Sequence, residues 1–141
     1  MKIAIINGPN LNLLGTRETD IYGSTTFESY FNKLRTTHPK IDFDYFQSNI
    51  EGELINELQR AGNTMDGIIL NPGGYTHTSV ALGDTIRAIK APVVEVHVSN
   101  IHAREDFRSI NHVSASCKGT ITGLGLKGYH LAIHYFLGDH H

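Results

Sequence analysis

Apolar and polar positions change period in a regular alternation along this chain. Lys2–Ile6 (KIAII) is a short apolar run with Gly-Pro close behind, the pattern of a buried strand. From Gly8 to Gly23 (GPNLNLLGTRETDIYG) the periodicity stops. This stretch reads as a loop far longer than the ~4–6 residues usual in a compact domain. Phe27, Tyr30, Phe31 and Leu34 then recur at helical spacing. Thr25-x-x-Glu28 reads as their capping box, and His38-Pro39 stops the helix. Ile41–Gln47 (IDFDYFQ) alternates, as a strand near a sheet edge does. Ser48-x-x-Glu51 reads as a second capping box, before a helix whose face is Leu54, Ile55, Leu58 and Ala61 and which Gly62-Asn63 ends. Gly67–Leu70 is a doubly buried strand, and Asn71–His77 (NPGGYTH) is a loop. Val80, Leu82, Ile86 and Ile89 mark a third helix, Val93–Val98 a fourth strand and Gly119–Gly123 a fifth. Leu124–Leu137 closes the chain as a helix.

Strict alternation of strands and helices predicts an α/β fold with an open parallel sheet and helices on both faces. Five strands suit a flavodoxin-like, three-layer arrangement in the order 2-1-3-4-5. The 141 residues fit one domain, residues 1–141, large enough to bury a core without staples. Such sheets bind ligands beyond the carboxyl ends of their strands, at the point where strand order reverses. Strands 1 and 3 flank that point here, with strand 4 next to strand 3. Polar residues gather at the same ends: Asn10, Arg17 and Tyr22 after strand 1, Asn71, Tyr75 and His77 after strand 3, and Glu95, His97, Ser99 and Asn100 on or after strand 4. Arg108 follows further on.

Composition narrows the function classes. A hydrophobic fraction of 40% with 18% charged residues argues against disorder. A net charge of −2 argues against a nucleic-acid partner, which calls for a basic face. No apolar run is long enough to span a membrane, and MKIAIINGPN is too short for a signal peptide. The single cysteine, Cys117, cannot form an internal disulfide, so a reducing cytoplasm is the expected setting.

The loops lack G-x-G-x-x-G and a Walker lysine, so dinucleotide and P-loop readings are weak. NPGGYTH can either offer backbone N–H groups to an anion or simply turn the chain. The alternation in VEVHV places Glu95 and His97 on one face of strand 4, where the carboxylate can hold the imidazole. In the long loop, Arg17 and Tyr22 suggest a base and its activator. A phenol titrates near 10, about 3 units from neutrality or roughly 4 kcal/mol. A cation ~4 Å away supplies about 1 kcal/mol in water and about 4 at an effective dielectric near 20. Arg17 can therefore activate Tyr22 if the loop closes as a lid, though desolvation works against it. His130 and His134, four apart on the last helix, have metal-binding spacing but lack a third ligand in the sequence, and read as a surface or interface pair. Cys117 reads as a small packed residue.

Four stretches, NGPNLNLLGTRETDIYG, NPGGYTHTSVAL, EVHVSNIHAREDFR and GLGLKGYHLA, resemble the type II 3-dehydroquinate dehydratases in order and spacing over nearly the whole chain. The resemblance implies the third step of the shikimate pathway, towards the aromatic amino acids. In it, 3-dehydroquinate loses water by anti elimination through an enolate, with no metal, cofactor or Schiff base. By the same resemblance Tyr22 is the base that takes the C2 proton, and Arg17 lowers its pKa. Asn10 lies near the enolate oxygen, His97 protonates the departing C1 hydroxyl, and Glu95 orients the catalytic groups. Asn71, Ser99 and the Val98 backbone N–H match the substrate-carboxylate site, and His77 and Arg108 match contacts to the ring hydroxyls. Asp84 matches a residue that reaches a neighbouring subunit's site, within a homo-oligomer built as a dodecamer of four trimers. The lid departs from many relatives in having Thr19 where they have proline. The stretch Ser109–Gly119 follows the pattern less closely, and no role passes to His112 or Cys117. Other expectations remain: a flavin- or nucleotide-binding module of the same fold, or an inactive relative kept for binding or assembly. A lysine-imine route is disfavoured because the three site loops carry no lysine.

Overall fold

The computed structural model describes residues 1–16, 20 and 24–138. Five parallel strands form one sheet in the order β2-β1-β3-β4-β5, as the alternation predicts. They are β1 (Lys2–Asn7), β2 (Asp42–Gln47), β3 (Gly67–Asn71), β4 (Val93–His97) and β5 (Gly119–Thr122). The helices are α1 (Phe27–Thr37), α2 (Glu51–Thr64), α3 (Val80–Ala88) and α4 (Lys127–Phe136).

Strand alternation sorts the core into two layers. Ile3 and Ile5 of β1, with Ile69, Val94 and Val96, pack on one face beneath Phe27 and Leu34 of α1 and Tyr129, Ala132 and Ile133 of α4. Ala4 and Ile6, with Ile68, Leu70 and Val93, face the other way, onto Leu54, Leu58 and Ala61 of α2 and Leu82 and Ile86 of α3. Each large apolar side chain fully buried contributes about 1.5–3 kcal/mol, against about 1 kcal/mol for a helix cap. Packing therefore outweighs capping in setting where the helices lie.

Several local expectations are corrected. Thr26, not Thr25, caps α1, its hydroxyl accepting from Ser29 N. Ser48 does not cap α2 in a box with Glu51: its hydroxyl accepts from Ile50 N and donates to Glu53. That helix also runs past Gly62 to Thr64, and at Gly62 the missing side chain makes room for Ile89, which a Cβ would meet at 2.5 Å. Part of NPGGYTH is a 3-10 turn, Gly73–His77, rather than open loop. The last helix begins at Lys127 instead of Leu124, after a turn in which Gly125 has φ +64°. Val80 on α3 is exposed rather than part of the buried face.

His130 and His134 do not stand as an isolated pair. His38, at the C-terminus of α1, places Nε2 3.2 Å from His130 Nδ1, and His134 Nε2 lies 3.1 Å from His130 Nε2. Burial, then repulsion by the neighbouring imidazoles, holds His38 below the ordinary histidine value. Burial, then His134 and Lys127, does the same to His130. The unfolded chain therefore takes up protons here that the folded chain refuses. The stability contributed is present above the ordinary histidine pKa and is lost as pH falls below it. Thermal melts between about pH 7.5 and 5.5 should show Tm falling with pH, and His38→Gln should flatten that slope. An unchanged slope in the variant would remove the cluster as its source.

Candidate active site

Backbone contacts draw the loops leaving β1 and β3 together. Asn7 and Asn71 are register partners, and Gly8 N donates to Asn71 O at 2.7 Å. A Cβ on Gly8 would sit 2.5 Å from the Pro72 carbonyl oxygen, so only glycine allows this approach. Asn10 has φ 70°, a left-handed conformation that asparagine tolerates better than most residues. Its N–H donates to Asn49 Oδ1, while Leu11 and Leu14 anchor the loop in the core.

A cavity of about 280 Å³ opens above these strand ends. That is close to the lower end of the ~300–1,000 Å³ range of small-molecule sites and suits one small ring compound. Asn10 lines it from the β1 loop, Asn71 and His77 from the β3 side, and His97, Val98 and Ser99 from the end of β4. Arg108 and Arg104 line it from the segment that follows. The location is the reversal point of the sheet, where strand polarity leaves loops free to diverge.

Beneath the cavity, the Glu95 side chain is wholly buried and both carboxylate oxygens are engaged. Oε2 accepts from Thr76 Oγ1 at 2.9 Å and from His97 Nε2. Oε1 accepts from Ser114 Oγ and from Thr120 Oγ1, the latter at 3.3 Å. Burial pushes the carboxyl pKa up, but the hydrogen bond and charge of His97, with Ser114 and Thr76, outweigh it and hold the group below its ordinary value. Glu95 is thus a carboxylate. It requires a proton on His97 Nε2, which leaves Nδ1 as the ring nitrogen able to serve a ligand.

His77 has its tautomer set as well. Its Nδ1 donates to the Ile110 carbonyl at 2.7 Å, while Nε2 is buried with no hydrogen-bond partner among the described residues. Burial, then Arg108 and His97, lowers its pKa despite the opposing carbonyl. A neutral His77 therefore keeps an unpaired lone pair on Nε2, in a residue that lines the cavity. Arg108 pairs with Glu105 and lies 4.9 Å over the Phe107 ring, and Arg104 Nη1 is 3.3 Å from Ser99 Oγ. Two guanidiniums with neutral amides suit an anionic ligand.

Of the residues singled out in the sequence, Asn10, Asn71, His77, His97, Val98, Ser99 and Arg108 share this cavity. Glu95 supports it from behind, through His97. Asp84 is not among the lining residues; it sits exposed on α3, paired with Arg87. Arg17, Thr19 and Tyr22 lie outside the described residues. The sequence reading missed Arg104, Thr76 and Ser114. Thr76 was legible as the neighbour of His77, whereas nothing local connects Ser114 to Glu95. No group of three His, Cys, Asp or Glu side chains among the described residues could hold a metal ion. No helix among them is long and apolar enough to cross a membrane.

The chain matches the family described as Dehydroquinase class II over residues 1–137. It is 52% identical to the 3-dehydroquinate dehydratase of Fusobacterium nucleatum, covering 97% of each chain. With that of Clostridium acetobutylicum the identity is 50%, over 94% of each. The fold is similar to the crystal structure of the type II dehydroquinase from Butyrivibrio crossotus, with a TM-score of 0.94 and 43% identity over 98% of both chains.

Proposed function

The chain belongs to the class II dehydroquinase family, and from that premise we propose that residues 1–141 act as one catalytic domain that dehydrates 3-dehydroquinate to 3-dehydroshikimate. The observation that carries this reading is His97, held by a buried Glu95 carboxylate, beside a cavity that also presents Asn10, Asn71 and two arginines. Elimination needs a base on one side of the ring and an acid on the other. Tyr22, activated by Arg17, takes the C2 proton, and the electrons pass into the C3 carbonyl as an enolate near Asn10. The enolate collapses to the C1=C2 double bond, and the C1 hydroxyl leaves as water with a proton from His97. Asn71, Ser99 and the Val98 N–H receive the substrate carboxylate. His77 accepts from a ring hydroxyl, and Arg108 donates to one.

This chemistry is acid–base throughout and uses neither metal nor cofactor. The enzyme works in the cytoplasm as a homo-oligomer, a dodecamer of four trimers, in which Asp84 reaches a neighbouring site. Exposed Val80, Phe107 and Ile110, each more than half accessible in the single chain, support burial by other copies.

The test is to mix the protein with 3-dehydroquinate and a chelator and follow the ultraviolet absorbance of the conjugated product. Turnover indifferent to the chelator is expected. A folded, assembled protein without turnover would overturn the activity and favour an inactive relative.

A further inference from the structure

We infer that Tyr129 is a positioning residue for substrate-anion recognition: its buried hydroxyl orients the Asn71 amide towards the ligand. The inference rests on the reading of Asn71 as a contact to the substrate carboxylate.

Tyr129 lies on α4, far from the site loops in sequence, and its side chain has no accessible surface. It reaches under the sheet ends to a row of polar groups. Asn71 Nδ2 is 2.9 Å from the Tyr129 hydroxyl, which is 2.7 Å from Asn7 Oδ1. Asn7 Nδ2 in turn is 3.4 Å from the Tyr45 hydroxyl. A phenol and two amides could run such a row in either direction, since each can donate or accept. One member cannot reverse. The backbone N–H of Gly73 donates to Asn71 Oδ1 at 3.1 Å, and a main-chain N–H is only ever a donor.

That N–H fixes one end of the Asn71 amide, and the Tyr129 hydroxyl, committed to Asn7 Oδ1, holds the other. Asn71 Oδ1 faces Gly73, so Nδ2 must donate to Tyr129. Tyr129 then donates to Asn7 Oδ1, and Asn7 Nδ2 donates to Tyr45. Burial keeps the Tyr129 phenol protonated, so its proton stays available to Asn7. Turning the Asn71 amide over would set donor against donor at Gly73 and acceptor against acceptor at Tyr129. The second Nδ2–H of Asn71 is left for an acceptor in the cavity that Asn71 lines. Tyr129 thus keeps a hydrogen-bond donor aimed at an anionic substrate without touching it.

The experiment is a cycle of Tyr129→Phe, Asn71→Ala and the double variant, with KM, kcat and Tm measured for each. Tyr129→Phe should raise KM roughly five- to tenfold, with kcat within about twofold, because one buried hydrogen bond to a binding group is lost. In the Asn71→Ala background the same change should raise KM no further. An equal rise in both backgrounds, or a lower Tm with unchanged KM, would overturn the inference. Asn71→Ala alone leaving KM unchanged would overturn the carboxylate reading beneath it. Should Tyr129→Phe not fold, Asn7→Ala frees the phenol proton to turn on Asn71 and should also raise KM. An unchanged KM there would count against the inference.

Discussion

Tyr22→Phe is expected to lower kcat by about 10²–10⁴-fold, the usual worth of a general base in the transition state. The variant removes a single oxygen, so Tm should match the wild type. The expectation follows from the phenol's titration. With an ordinary pKa near 10, the side chain is a weak base at neutral pH unless a cation stabilises the phenolate. A guanidinium ~4 Å away is worth about 4 kcal/mol at an effective dielectric near 20, enough to move it by roughly 3 units. In water the same contact is worth about 1 kcal/mol and moves it little. On the proposed reading, the arginine would therefore activate the phenol only where water is excluded. Arg17→Ala should therefore shift the basic requirement in the kcat profile upward in pH, towards the ordinary phenol value. Wild-type turnover in Tyr22→Phe would show that another group takes the proton. An unshifted profile in Arg17→Ala would show that the activation comes from elsewhere.

The second large effect concerns Glu95→Gln. The carboxylate accepts from four donors, all of them side chains on other residues. Glutamine keeps one oxygen and turns an NH₂ group towards the other pair of donors. If that pair includes His97, the ring must turn its tautomer over, placing its lone pair on Nε2 and its proton on Nδ1. The imidazole then loses the carboxylate that fixes its ring and tautomer, and it is no longer set to deliver a proton to the departing hydroxyl. A kcat loss of about 10²-fold or more is expected. Stability should fall too, by about 1–3 kcal/mol for each buried donor left unpaired, readable as a lower Tm. KM should change less than kcat, because Glu95 sits behind His97 and does not line the cavity. Wild-type kcat in a folded Glu95→Gln protein would end the reading of His97 as an acid held by this carboxylate.

Strand and helix periods are local properties of the chain, and their strict alternation implied a parallel sheet between two helix layers; the order 2-1-3-4-5 came from the arrangement that five such strands suit. The alternation in VEVHV likewise placed Glu95 and His97 on one face, because side chains in a strand repeat every two residues whatever lies around them. The turn residues after β1 and β3 and the end of β4 determined which polar side chains would meet at the carboxyl ends of the sheet. Local patterns were weaker where two neighbours had equal chemistry. Thr25 has Glu28 three residues on, as a capping box asks, yet Thr26 is the cap, directly before Phe27, which is buried in the core. Gly62 reads as a helix end in the sequence, whereas in the fold it lies within the helix, where Ile89 packs against it.

Only the tertiary structure decided which groups satisfy the buried ones. Thr76, Ser114 and Thr120 come to Glu95 from separate loops and strands, and Tyr129 crosses from α4 to Asn7 and Asn71. No periodicity encodes such partners, because they depend on how the helices and loops dock on the sheet. Their necessity is still physical: a charge or amide removed from water must find hydrogen bonds wherever the fold can supply them.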